Sequence, residues 1–122
     1  MIHHIVIKVS DLKIAKAFYQ KVLTPMGYTL FFEMDETYVG FGIKGKPDFW
    51  LHQDQTQTSK LHFAFKAQNQ KEVDAFYEAA IKAGGSDNGK PGLRPRYQYY
   101  PNYYGAFVLD PDGNNIEAVC HD

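Results

Sequence analysis

A spacing of 58 residues runs through this chain. It separates His4 from His62, the pair Phe18-Tyr19 from Phe76-Tyr77, and Gly27 from Gly85. One offset thus aligns a strand histidine, an aromatic pair at helical spacing and a helix-stopping glycine. Three coincidences in matching local patterns describe an internal repeat, and a repeat limits the folds available more than any single motif does. With 122 residues, the chain holds one domain built from two copies, residues 1–58 and 59–122.

Each copy reads as β-α-β-β-β. In the first, Ile2 to Val9 alternates as a strand, with Ile5, Ile7 and Val9 on one face and His4, Val6 and Lys8 on the other. Ser10 or Asp11 can cap the helix that follows. Leu12, Ala15, Phe18, Tyr19 and Val22 form its apolar stripe, and Pro25 and Gly27 stop it. Strands follow at Tyr28 to Met34, Thr37 to Ile43 and Asp48 to Gln53, and Asp54 to Lys60 is a polar connector. The second copy opens with the strand Leu61 to Ala67. Asn69 caps a helix carrying Val73, Phe76, Tyr77, Ala80 and Ile81, and Gly84-Gly85 closes it. Ser86 to Tyr103 is rich in Gly, Pro, Arg and Tyr and reads as irregular extended chain. Strands at Tyr104 to Leu109 and Asn115 to Cys120 flank an Asp-Pro-Asp-Gly turn, in which Pro111 presets φ and Gly113 tolerates a positive φ. Gly105-Ala106-Phe107 answers Gly40-Phe41 at an offset of 65 to 66.

Repeated positions become symmetry mates. His4 and His62 then meet on the faces turned away from the helices, and alternation puts Glu117 on that face too. Two imidazoles and one carboxylate in a cavity make a site for a first-row divalent metal with open positions. These ligands suit zinc, nickel, iron and manganese equally. Arg94, Arg96, Tyr97, Tyr99, Tyr100, Tyr103 and Tyr104 cluster on one segment. Such a cluster suits a lid binding an anionic or aromatic ligand, and equally a dimer interface. Trp50 on the open face would be an apolar wall. From this set, Trp50, Arg94, Arg96 and Tyr104 are the candidate substrate contacts.

A net charge of −1 gives no footprint for nucleic acid or an anionic membrane. The single cysteine excludes an internal disulfide and a cysteine-based zinc site. No run approaches the apolar length of a membrane span, and no signal-peptide pattern opens the chain. A soluble, cytoplasmic protein is expected.

The stretches His4-Ile5-Val6-Ile7-Lys8-Val9-Ser10-Asp11-Leu12 with Phe18-Tyr19, Leu61-His62-Phe63-Ala64-Phe65, and Asp110-Pro111-Asp112-Gly113-Asn114-Asn115-Ile116-Glu117 resemble the vicinal-oxygen-chelate superfamily. That superfamily includes glyoxalase I, bleomycin-resistance proteins and extradiol dioxygenases. The resemblance covers nearly the whole chain. It implies an α+β fold in which paired βαβββ modules form a cupped mixed sheet with helices outside, usually in a homodimer. It matches His4, His62 and Glu117 to metal ligands, with Glu117 also able to act as base. Glyoxalase I-like members carry a fourth ligand, Glu or Gln, in the last strand of copy one. The repeat puts Leu51 or Trp50 there, and neither binds metal, although His52 and Gln53 stand close by. The implied activity is that of a metal-dependent glyoxalase I-like lyase acting on a small substrate. An iron-dependent extradiol-type dioxygenase and a non-catalytic, bleomycin-resistance-type binder are the alternatives.

Overall fold

The computed structural model describes residues 2–56, 60–95 and 100–121. Module one comprises β1 (Ile5–Val9), α1 (Leu12–Leu23), a 3₁₀ turn (Thr24–Met26), β2 (Thr29–Met34), β3 (Tyr38–Ile43) and β4 (Lys46–Gln53). Module two comprises β5 (His62–Lys66), α2 (Gln70–Lys82), β6 (Ser86–Leu93), β7 (Tyr104–Leu109) and β8 (Asn115–Cys120). The paired βαβββ modules of an α+β fold are therefore present. Each module keeps its own four-stranded mixed sheet, in the orders β1-β4-β3-β2 and β5-β8-β7-β6.

The local chemistry accounts for the boundaries. Asp11 caps α1, accepting from the Ile14 N–H at 3.1 Å, and Asn69 caps α2 through the Glu72 N–H at 2.9 Å. Gly27, at φ 83°, takes the left-handed conformation that closes the 3₁₀ turn. Ile2 to His4 lie outside β1, whose pairing with β4 starts only at Ile5 opposite Phe49. The segment expected to be irregular after Gly85 instead forms β6. It pairs with β7 through two breaks in register, beside Gly89. It is an edge strand, where Pro91 and the glycines are tolerated, and pairing with a neighbour overrides weak intrinsic propensity.

One core runs through both modules. Ile7, Val9, Phe49 and Leu51 bury the helix-facing side of the first sheet, and Phe65, Ala106, Val108, Ile116 and Ala118 do so in the second. The helices α1 and α2 pack on each other. Phe49 stacks edge-on against Phe65, with ring centroids 5.1 Å apart. Gly85 makes room at this joint, since a Cβ there would come within 3.0 Å of the Phe18 ring.

The Asp-Pro-Asp-Gly turn joins the modules. Its own backbone closes through Gly113 N–H to Asp110 carbonyl at 2.9 Å, with Gly113 at φ 85°. The buried Asp110 carboxylate accepts from the Tyr19 hydroxyl of α1 at 2.5 Å, while the Asp112 carboxylate accepts from the Ser10 hydroxyl at 2.5 Å.

Candidate metal and ligand site

Strand register fixes the two faces turned away from the helices. In module one, Val6, Trp50, Gly40 and Phe32 lie in one row across the sheet. In module two the corresponding row is Ala64, Glu117, Phe107 and Gly89. Val6 and Ala64 are repeat mates, so Trp50 occupies the place that Glu117 holds in module two. The same rows align Gly40 with Phe107, which corrects the offset of 65 to 66 expected between these strands.

The module-two face holds a buried acid. Glu117 is only 2% exposed, enclosed by His62, Tyr103 and the row neighbour Phe107. The Tyr103 hydroxyl donates to Glu117 Oε2. Glu117 Oε1 lies 3.3 Å from His62 Nε2. The other ring nitrogen, Nδ1, is 3.1 Å from the Asn115 carbonyl oxygen. A carbonyl only accepts, so Nδ1 carries a proton, and Nε2 is the ring nitrogen turned toward the carboxylate. A proton on Nε2 makes this contact an ion pair, and a metal ion bound by both groups would take that proton's place. Burial pushes the Glu117 carboxyl above the usual carboxylate range, against the opposing pull of the Tyr103 hydrogen bond, His62 and Arg94.

His62 and Glu117 fit as part of a divalent ion's ligand set. An imidazole fixed by a backbone carbonyl, beside a buried carboxylate, is the usual way a protein orients metal ligands. Two donors on one first-row ion at ordinary bond lengths stand about 3.0–3.4 Å apart, and the His62–Glu117 pair has that spacing.

His4 is elsewhere. It lines a cavity of about 770 Å³ on the module-one face with Val6, Phe32, Met34, Tyr38 and Trp50. Among the described residues, no three His, Cys, Asp or Glu side chains gather closely enough to hold a metal. The expected meeting of His4 with His62 and Glu117 is thus not made within one chain, because each sheet keeps a separate open face.

The other candidates divide by strand parity. Trp50 lies on the open face, its ring over Gly40 and edge-on to Phe32 at 5.8 Å. Arg94 stands over the Phe107 ring at 5.4 Å and donates to the Lys90 carbonyl at 2.6 Å, at the margin of the His62–Glu117 pair. Tyr104 points the other way. Its hydroxyl donates to Asp74 of α2 at 2.7 Å, and that bond, more than burial, raises its pKa. Tyr104 therefore does not belong to the open face. Arg96, Tyr97 and Tyr99 lie outside the described residues. Gln53 is taken up structurally, accepting from the Leu12 N–H at 2.7 Å and donating to the Ser10 carbonyl at 2.7 Å. His52 stacks on Tyr38 at 4.3 Å. Tyr103 and Phe107 are not among the four substrate contacts that the sequence suggests. Pairing of Phe107 opposite Glu117 is the signal that identifies that face.

The sequence matches the model of the Glyoxalase/Bleomycin resistance protein/Dioxygenase superfamily over residues 1–118. No curated protein matches it. Among solved structures, it is similar to a glyoxalase/bleomycin resistance protein from Albidiferax ferrireducens T118, at 27% identity, 95% coverage of both chains and a TM-score of 0.80. A glyoxalase/bleomycin resistance protein/dioxygenase family enzyme from Burkholderia phytofirmans PsJN is 23% identical, with 97% of this chain and 96% of that one covered, at a TM-score of 0.74. Lactoylglutathione lyase from Agrobacterium tumefaciens shares the fold at 20% identity, over 98% of this chain and 92% of that one, with a TM-score of 0.72. With a match that spans nearly its whole length, this chain belongs to the glyoxalase/bleomycin resistance protein/dioxygenase superfamily.

Proposed function

We propose that this protein is a small cytoplasmic metal-dependent enzyme of the glyoxalase I-like, lactoylglutathione lyase-like type. His4, His62 and Glu117 would hold one divalent ion, and a small substrate would bind through two adjacent oxygens. The observation that carries this reading is the His62–Glu117 pair, with Nε2 and Oε1 3.3 Å apart and Nδ1 committed to a backbone carbonyl. We further propose that the site is completed in a homodimer, with module one of one copy facing module two of the other. The open apolar face beside His4 supports this, with Val6 47%, Phe32 42% and Met34 48% exposed.

When bound, the ion supplies Lewis-acid polarisation of the substrate oxygens. The residues of this chain do the rest. Glu117 is also the candidate base, and would take a substrate proton at Oε1 when that oxygen is not engaged by the ion. Its burial keeps water from competing for that proton. Trp50 and Phe32 pack the apolar part of the substrate, and Arg94 meets an anionic group. Trp50 at the fourth-ligand place favours a second reading. Three protein ligands, two His and one carboxylate, are the donor set of iron-dependent oxygenases such as the extradiol type.

Elemental analysis of protein purified without chelators tests the proposal, before and after soaking in zinc, nickel, iron or manganese. Near-stoichiometric metal, lost in His4→Ala, His62→Ala and Glu117→Ala, is the expected result. Iron would direct assays to the oxygenase, and zinc or nickel to the lyase. Failure to take up any of these metals would refute the metal site and leave a cup that sequesters a small molecule.

A further inference from the structure

The two oxygens of Glu117 have different neighbours. Oε1 faces His62 Nε2 at 3.3 Å, and Oε2 accepts from the Tyr103 hydroxyl. Tyr103 is itself well anchored. Its carbonyl accepts from the Arg94 N–H at 2.8 Å, and its ring lies parallel to His121 with centroids 6.2 Å apart. Gly105 opens the path between phenol and acid. A Cβ at that position would stand 3.3 Å from Tyr103 Cε1 and 3.4 Å from Glu117 Oε2. The place that mirrors Glu117 in module one is taken by Trp50, so this chain has one such acid where the repeat offers two positions.

We propose that Tyr103 is a positioning residue that fixes Glu117 as a one-oxygen ligand through Oε1. This rests on the metal reading above. A carboxylate free at both oxygens binds an ion through one or both. With Oε2 engaged by the phenol, only Oε1 is presented beside His62. One coordination position that a chelating carboxylate would fill is thereby left to the substrate. The arrangement matters more here than in a four-ligand site, because Glu117 is the sole acid that the repeat places on the open faces at this row.

Cobalt(II) is the probe, because its visible absorption reports coordination number and geometry. Titrations follow wild type, Tyr103→Phe and Gly105→Ala, with circular dichroism to establish that each is folded. Gly105→Ala keeps the hydroxyl but crowds the ring from Oε2, and it guards against a folding defect particular to Tyr103→Phe. Both variants should bind cobalt about tenfold more weakly, the lower end of the usual effect of removing an outer hydrogen bond. Both should also show the weaker visible absorption of a more highly coordinated ion. Weaker binding with an unchanged spectrum would mean that Tyr103 only supports the fold, and would overturn the proposal. Absence of cobalt binding by wild type would instead overturn the metal reading itself, and this inference with it.

Discussion

The Asp110 carboxylate accepts four hydrogen bonds: from the Asp112 and Asn114 N–H groups at 2.9 and 2.8 Å, the Asn114 amide at 2.9 Å and the Tyr19 hydroxyl at 2.5 Å. Tyr19→Phe removes the only one of these that reaches across modules. A buried bond to a charged acceptor is worth about 1.5–3 kcal/mol, so urea unfolding should show a loss of that order. The same residue sets a pH limit. Burial, then the Asp110 charge, raise the Tyr19 phenol well above its ordinary value. The unfolded chain releases that proton near pH 10, roughly the free tyrosine value, and the folded chain does not. Stability is therefore complete below that pH and declines as pH rises through it. Wild type should lose stability in alkali more steeply than Tyr19→Phe. Tyr28, raised by burial and Asp48, keeps some of the dependence in both. At this scale the sequence was partly legible. The turn, the caps, His62 and Glu117 could be read from local chemistry. Tyr103 against Tyr104 could not, because adjacent residues at a strand's start take opposite faces and only pairing fixes which.

Strands decide what the open faces present. Trp50 lies flat across β3 because its pairing partner is Gly40. A Cβ at Gly40 would approach the indole to 2.6 Å. Gly40→Ala should thus displace the ring, at an overpacking cost of about 1–3 kcal/mol. Trp50 is the only tryptophan in the chain, so its fluorescence spectrum reports the shift directly. An unchanged emission maximum in the folded variant would show that Gly40 does not seat the ring. Periodicity revealed seven of the strands. It missed β6, whose Gly89-Lys90-Pro91-Gly92 stretch lacks any alternating pattern and is organised by pairing with β7. Periodicity also left Leu51 and Trp50 unresolved at the fourth-ligand place. The parallel register Val6↔Trp50 beside Ala64↔Glu117 selects Trp50.

At the scale of the whole molecule, the repeat announced two modules but not how they assemble. One chain joins them through α1, α2 and the Asp110 turn, and leaves His4 apart from the His62–Glu117 pair. If two copies complete each other's sites, His4→Ala and His62→Ala subunits should complement. Mixed, unfolded together and refolded, they should recover about one quarter of wild-type metal, since half the dimers are mixed and each holds one intact site. No recovery would place the ligands otherwise. The Trp50–Glu117 correspondence also bears on ancestry. Both copies keep a histidine at or just before the strand start, while one carries a carboxylate and the other an indole at the same place in the sheet. The joint between modules is built on the opposite faces and on a turn. A duplicated half could therefore trade a ligand for an aromatic surface without loosening its attachment to its twin, and the two copies were free to specialise.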